Sequence, residues 1–149
     1  MAAATSVRLV IPSEVRLVDL VHTVTEKLAE IVGFEAEEGL NAALAVREAL
    51  INAIVHGNRS DPALEVEVNM VASADKLEAK VVDRGRGFDP SATADPTAGN
   101  NLLRTSGRGL LLIRAFVDDV SFRYLDGRGM EVTLVKAHRP PREANAGRS

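Results

Sequence analysis

The chain has 149 residues, no cysteine, 46% apolar and 26% charged residues, and a formal net charge of -3. That length suits one domain with its own core, and the missing cysteine excludes disulfides, thiol nucleophiles and thiolate-bound metal. Mild acidity, aromatic residues at 3% and no basic stripe argue against nucleic acid as the main partner.

Residues 5–11, Thr-Ser-Val-Arg-Leu-Val-Ile, alternate as an edge strand does, and Pro12-Ser13 ends them, with Ser13 expected as a helix N-cap. From Glu14 to Val32 the apolar residues Val15, Val18, Val21, Val24, Leu28 and Ile31 recur at three and four, which predicts an amphipathic helix closed by Gly33. A second helix is expected from about Ala36 to His56, with Glu35, Glu37 and Glu38 at its positive end. The period then becomes two: Leu64, Val66, Val68 and Met70 predict one strand, and Leu77, Ala79 and Val81 its partner. Residues 88–106 have no period and carry Pro90, Pro96 and Gly99, and aperiodic segments of this length are commonly binding loops or lids. A third helix is expected over about Gly109 to Val117, then strands around Val120–Tyr124 and Met130–Leu134, joined by an Asp126-Gly127-Arg128-Gly129 hairpin turn. The reading is one domain over 1–138 and a disordered tail over 139–149. Its fold class is α+β: a two-layer sandwich, with a mixed, mostly antiparallel sheet and helices on one face. No apolar run approaches the roughly 18 residues of a membrane span, and the N-terminus lacks a signal pattern. The cytoplasm is the expected location, with no membrane partner.

Three motifs carry chemistry. Glu48 and Asn52 lie four residues apart in an apolar helical run, so both point the same way. A carboxylate that can orient a nucleophile beside an oxygen that can hold Mg²⁺ suits phosphoryl transfer, although the pair alone also fits a half-exposed helix face. Asp83-Arg84-Gly85-Arg86-Gly87 follows a strand. Its carboxylate can accept from an exocyclic amine such as that of adenine, and its glycines let backbone approach a flat ligand. A plain glycine turn is the alternative. Ser106-Gly107-Arg108-Gly109-Leu110 opens a helix, where exposed N–H groups and the positive dipole end favour phosphate. It is neither a Walker A loop nor a dinucleotide fingerprint. His22, His56 and His138 show no metal-ligand spacing, and Asp118-Asp119 reads as a solvated turn.

Glu-x-x-x-Asn on a helix, Asp-x-Gly-x-Gly after a strand and Gly-x-Gly-Leu before a helix, in this order, resemble the ATP site of the GHKL superfamily. With Asn52-Ala-Ile-Val-His-Gly-Asn58 and Gly107-Arg-Gly-Leu-Leu-Leu-Ile-Arg114, the chain is most similar to bacterial anti-sigma-factor serine kinases, from about Ser6 to Lys136. The resemblance implies ATP and Mg²⁺, with Glu48 as the base and Asn52 as the metal ligand. It implies Asp83 on the adenine amine, with Gly85 and Gly87 shaping the pocket and Thr133 near that carboxylate. Gly107, Arg108, Gly109 and Leu110 would form the phosphate cradle, and residues 88–106 the lid. Family members carry an arginine just before the Ser-Gly of the third motif. Here Thr105 stands there, and Arg104, one residue earlier, is expected to take its catalytic role, with Arg108 as the alternative.

The implied function is a serine-protein kinase and anti-sigma factor. It would phosphorylate a STAS-type anti-anti-sigma protein, sequester a sigma factor, and form a homodimer through its first strand and helix. The alternatives are a nucleotide-gated binding module without transfer and a switch kinase on a STAS scaffold that binds no sigma factor.

Overall fold

The computed structural model describes residues 4–85, 107–126 and 129–139, with backbone only at 107–110. Strand β1 (Thr5–Pro12) leads through a 3-10 turn (Val15–Leu17) into helix α1 (Val18–Ile31), and helix α2 (Ala36–Ile51) runs on into a π-helical turn (Asn52–Gly57). Strands β2 (Glu65–Ala72) and β3 (Lys76–Val82) follow, then helix α3 (Gly107–Phe116) and strands β4 (Asp119–Tyr124) and β5 (Met130–Ala137). The element order is the one expected from hydrophobic periodicity.

The sheet order is β1-β2-β3-β5-β4. Every pairing among the described strands is antiparallel, so the sheet expected to be mixed is not. Alternation sorts its two faces. Val66, Val68, Met70, Leu77, Ala79, Val81, Val132 and Leu134 are buried and form the core with residues of α1, α2 and α3. The opposite face carries ion pairs, Arg8–Glu67 at 2.6 Å and Arg123–Glu131 at 2.9 Å. This is a two-layer α/β sandwich.

Small residues let α2 occupy the centre. Ala42, Ala43, Ala45 and Ala49 are buried along it and Ala53 in the π turn that continues it, and a side chain on Gly39 would press on Ala29 of α1. Larger Val46, Leu50 and Ile54 fill the remaining space; truncating a fully buried side chain such as Leu50 typically costs about 2–5 kcal/mol.

Gly33 closes α1 as expected. With φ of 98° it allows a Schellman motif, in which Gly33 N–H donates to Glu30 O and Phe34 N–H to Ala29 O. Ser13 does not cap α1. The 3-10 turn intervenes, and the buried Ser13 hydroxyl donates to Leu64 O at 2.6 Å, tying the end of β1 to the start of β2.

The chain after β5 docks on the start of α2. Glu38 Oε1 accepts from Glu35 N–H at 2.9 Å and lies 3.0 Å from His138 Nδ1, while Glu38 Oε2 accepts from Arg139 N–H at 2.9 Å. His138 stacks on Phe34, ring centres 4.8 Å apart. Arg139 also bonds Asp118, which accepts from Ala137 N–H. Thus Arg139, expected in a frayed tail, is anchored, and Glu38 does more than bias a helix dipole; residues 140–149 lie outside the described residues. Among the described residues, no helix is long and apolar enough to cross a membrane.

Candidate functional site

The site is built around Asp83, the first residue after β3. It follows Val81 by two, so it points to the helical side of the sheet, and it is 3% exposed. Asp83 Oδ1 accepts from Gly85 N–H and Met130 N–H, each at 3.2 Å, and Asp83 N–H donates to Met130 O at 3.0 Å. Burial pushes its carboxyl above the usual aspartate range, and the two backbone donors offset only part of that rise.

Three glycines from three segments close on this carboxylate. A side chain at Gly57, the last residue of the π turn, would collide with the Asp83 carboxylate; one at Gly85 would collide with Gly57 O; one at Gly129 would collide with Asp83 O. Gly129 also has φ of 119°, which other residues rarely adopt. Bare backbone from three segments therefore packs directly around the buried carboxylate, where no side chain would fit.

Glu48 lies on α2 and Asn52 opens the π turn whose last residue, Gly57, meets Asp83. Asn52 N–H donates to Glu48 O, so one helical turn separates the two residues on one side of the helix. Both are half-buried, and neither side chain is hydrogen-bonded to another described residue. The helix expected to run as α to His56 changes at Asn52 to π hydrogen bonding, with Asn58 N–H donating to Ala53 O at 2.8 Å. Such turns are frequent at functional sites. This one brings Gly57 onto Asp83, so the helix bearing Glu48 and Asn52 ends against that carboxylate.

Gly107, Arg108, Gly109 and Leu110 form the first turn of α3, and α3 packs on α2. Their backbone lies at the positive end of a ten-residue helix. Gly87, Arg104 and the 88–106 segment lie outside the described residues.

Thr133 does not join this group. It pairs with Lys80 of β3 and Ser121 of β4, on the sheet face away from the helices. Met130, roughly 10 Å back along β5, is the residue that meets Asp83. Gly57 and Asn58, just past the expected end of the second helix, and Gly129, in the expected hairpin turn, also meet at this corner. Their His-Gly-Asn and Gly-x-Gly settings were the available signals.

No group of three or more His, Cys, Asp or Glu among the described residues is arranged to hold a metal. A divalent cation here would use the Asn52 oxygen together with oxygens of a bound ligand and water, the coordination Mg²⁺ favours.

A family model described as "Histidine kinase-like ATPase domain" matches residues 11–136. The serine-protein kinase RsbW of Listeria monocytogenes is 29% identical over 133 residues, covering 85% of each chain. RsbW of Bacillus subtilis is 28% identical over 138 residues, covering 85% of this chain and 81% of its own. A crystal structure of the RsbU and RsbW domains of a Mycobacterium tuberculosis protein superposes with a TM-score of 0.66 at 18% identity. It covers 93% of this chain, which spans 34% of that longer one.

Proposed function

Because the chain belongs to the histidine kinase-like ATPase domain family, we propose that it is an ATP-dependent serine-protein kinase that also acts as an anti-sigma factor. Its substrate is a serine of a STAS-type anti-anti-sigma protein; once that serine is phosphorylated, the competitor is removed and this chain retains the sigma factor. The observation that carries the nucleotide reading is the buried Asp83 carboxylate, enclosed by Gly57, Gly85 and Gly129 at the end of the Glu48–Asn52 helix. The RsbW relatives support the kinase reading.

Asp83 accepts the exocyclic amine of adenine, and Gly85 and Gly87 shape the space around the ring. The first turn of α3, Gly107 to Leu110, presents N–H groups to phosphate, with Arg108 adding charge. Asn52 would supply an oxygen to Mg²⁺, and the ion would supply positive charge to offset that of the phosphate oxygens. Glu48 takes the proton from the attacking serine hydroxyl. The serine Oγ–phosphorus bond forms as the bond from the terminal phosphorus to its bridging oxygen breaks, and ADP leaves. Arg104 steadies the transferred group. Catalysis of this kind rests on positioning and charge, so a few residues suffice.

The chain works as a homodimer in the cytoplasm. β1 is an edge strand, and Val10 on it, Val15 in the 3-10 turn and Leu20 on α1 are 45%, 52% and 53% exposed, which supports pairing through this end of the chain.

Thr105, at the place of the family arginine, favours a second reading: a nucleotide-gated module that binds a partner without transfer. Incubation with labelled Mg·ATP and STAS proteins separates the two. The kinase reading expects label on a STAS serine, reduced about 10²- to 10⁴-fold by Glu48→Ala. ATP binding without label on any STAS protein selects the module, and absence of ATP binding overturns both.

A further inference from the structure

We propose that Asn58 is the positioning residue of this site, holding the Asp83–Gly85 turn at a fixed place against the end of the π turn; the nucleotide part of the claim rests on the ATP reading above. Asn58 is 1% exposed, and its side chain makes three hydrogen bonds to three other segments. Its Nδ2 donates to Ser13 Oγ at 2.8 Å, just past β1, and to Glu65 O at 3.2 Å, at the start of β2. Its Oδ1 accepts from Arg84 N–H at 2.9 Å, the residue after Asp83. The orientation of the amide is fixed by chemistry. Arg84 N–H can only donate, Glu65 O can only accept, and the Ser13 hydroxyl hydrogen is already given to Leu64 O.

The backbone of Asn58 is equally committed, donating to Ala53 O and accepting from Asp61 N–H. One buried amide thus joins the helix end, the sheet edge and the exit of β3. Gly85 lies so close to Gly57 O that a displaced turn would either collide with it or draw Asp83 away from Gly57. A small error in the Arg84 bond therefore moves the Asp83 acceptor relative to the ligand, although Asn58 itself need not touch the ligand. A misplacement of this size is costly where a ligand is read by one buried acceptor.

The test compares ATP and GTP titrations of the unmodified chain, Asn58→Ala, Ser13→Ala and Asp83→Ala, with hydrogen exchange of the Arg84 amide in the unmodified chain. Asn58→Ala should weaken ATP roughly five- to tenfold and narrow the preference for ATP over GTP, because the adenine acceptor is no longer held. Ser13→Ala leaves the Arg84 bond in place and should keep that preference even though it lowers the melting temperature. Arg84 N–H should exchange slowly without nucleotide. Unchanged affinity and base preference in folded Asn58→Ala overturn the proposal, and so does fast Arg84 exchange, which decides the matter even where Asn58→Ala does not fold. ATP binding untouched by Asp83→Ala, or absent from the unmodified chain, overturns the site reading instead, and Arg84 exchange then still decides whether Asn58 holds the turn.

Discussion

Asp83 and Glu38 are both shielded carboxylates gripped by backbone N–H groups, yet their acidities move in opposite directions. At Glu38 burial acts to raise the carboxyl, but the N–H groups of Arg139 and Glu35 and the His138 ring outweigh it, holding Glu38 below the usual glutamate range. At Asp83 burial wins over Gly85 and Met130 and the carboxyl rises. Glu38 has both oxygens engaged by protein and closes a structural corner. Among the described residues, Asp83 accepts its two bonds on Oδ1, while Oδ2 lies against the bare backbone of Gly57. Burial of the Asp83 carboxylate disfavours its charged form in the free protein, and such a perturbed carboxyl is typical of a site shaped for a ligand.

Asp83→Asn gives the sharpest separation of the two corners. Its amide oxygen keeps the Gly85 and Met130 bonds, so the free protein should melt at the same temperature or higher. ATP affinity should fall about 100-fold, near the upper end for loss of a hydrogen bond to a charged acceptor; calorimetric titration and thermal melting read both. Gly57→Ala comes next. Its methyl group runs into the Asp83 carboxylate, so unfolding should be easier by about 1–3 kcal/mol, with ATP affinity falling about tenfold as the carboxylate shifts. Glu38→Gln should cost about 1–2 kcal/mol in denaturant unfolding and leave ATP affinity unchanged.

The smallest effect is in pH dependence. The folded value of Glu38 lies below its unfolded one, so its contribution is present above the ordinary glutamate range and is lost as pH falls through the lowered value. The folded value of Asp83 lies above its unfolded one, so the free protein loses stability as pH rises from the ordinary aspartate range through the raised value. Unfolding free energies across that acid range should show the deficit of Glu38→Gln shrinking as pH falls. Any advantage of Asp83→Asn should shrink as well, because the unmodified carboxyl takes up its proton.

Much of the fold is legible in the residue pattern. Val66, Val68 and Met70 alternate with Glu67 and Asn69, and the sheet faces follow that alternation. Gly33 sits where a helix must end, and Asp83 sits where an apolar strand meets glycines. The same alternation already sets Thr133 apart, because its neighbours Val132 and Leu134 are the inward, buried pair. Other features leave no periodic trace. A change from α to π hydrogen bonding at Asn52 keeps the same residues helical, so composition does not mark it. The roles of Ser13, Asn58 and Gly129 depend on partners distant in sequence, Leu64, Arg84 and Asp83, and no local propensity encodes those meetings.

The most direct test of the account is a paired titration of Mg·ATP into Asp83→Asn and Glu38→Gln, each with its melting temperature measured without nucleotide. The account predicts that Asp83→Asn loses ATP affinity while holding or gaining stability, and that Glu38→Gln loses stability while keeping ATP affinity. ATP affinity that survives in Asp83→Asn, or that falls equally in both variants, would contradict it.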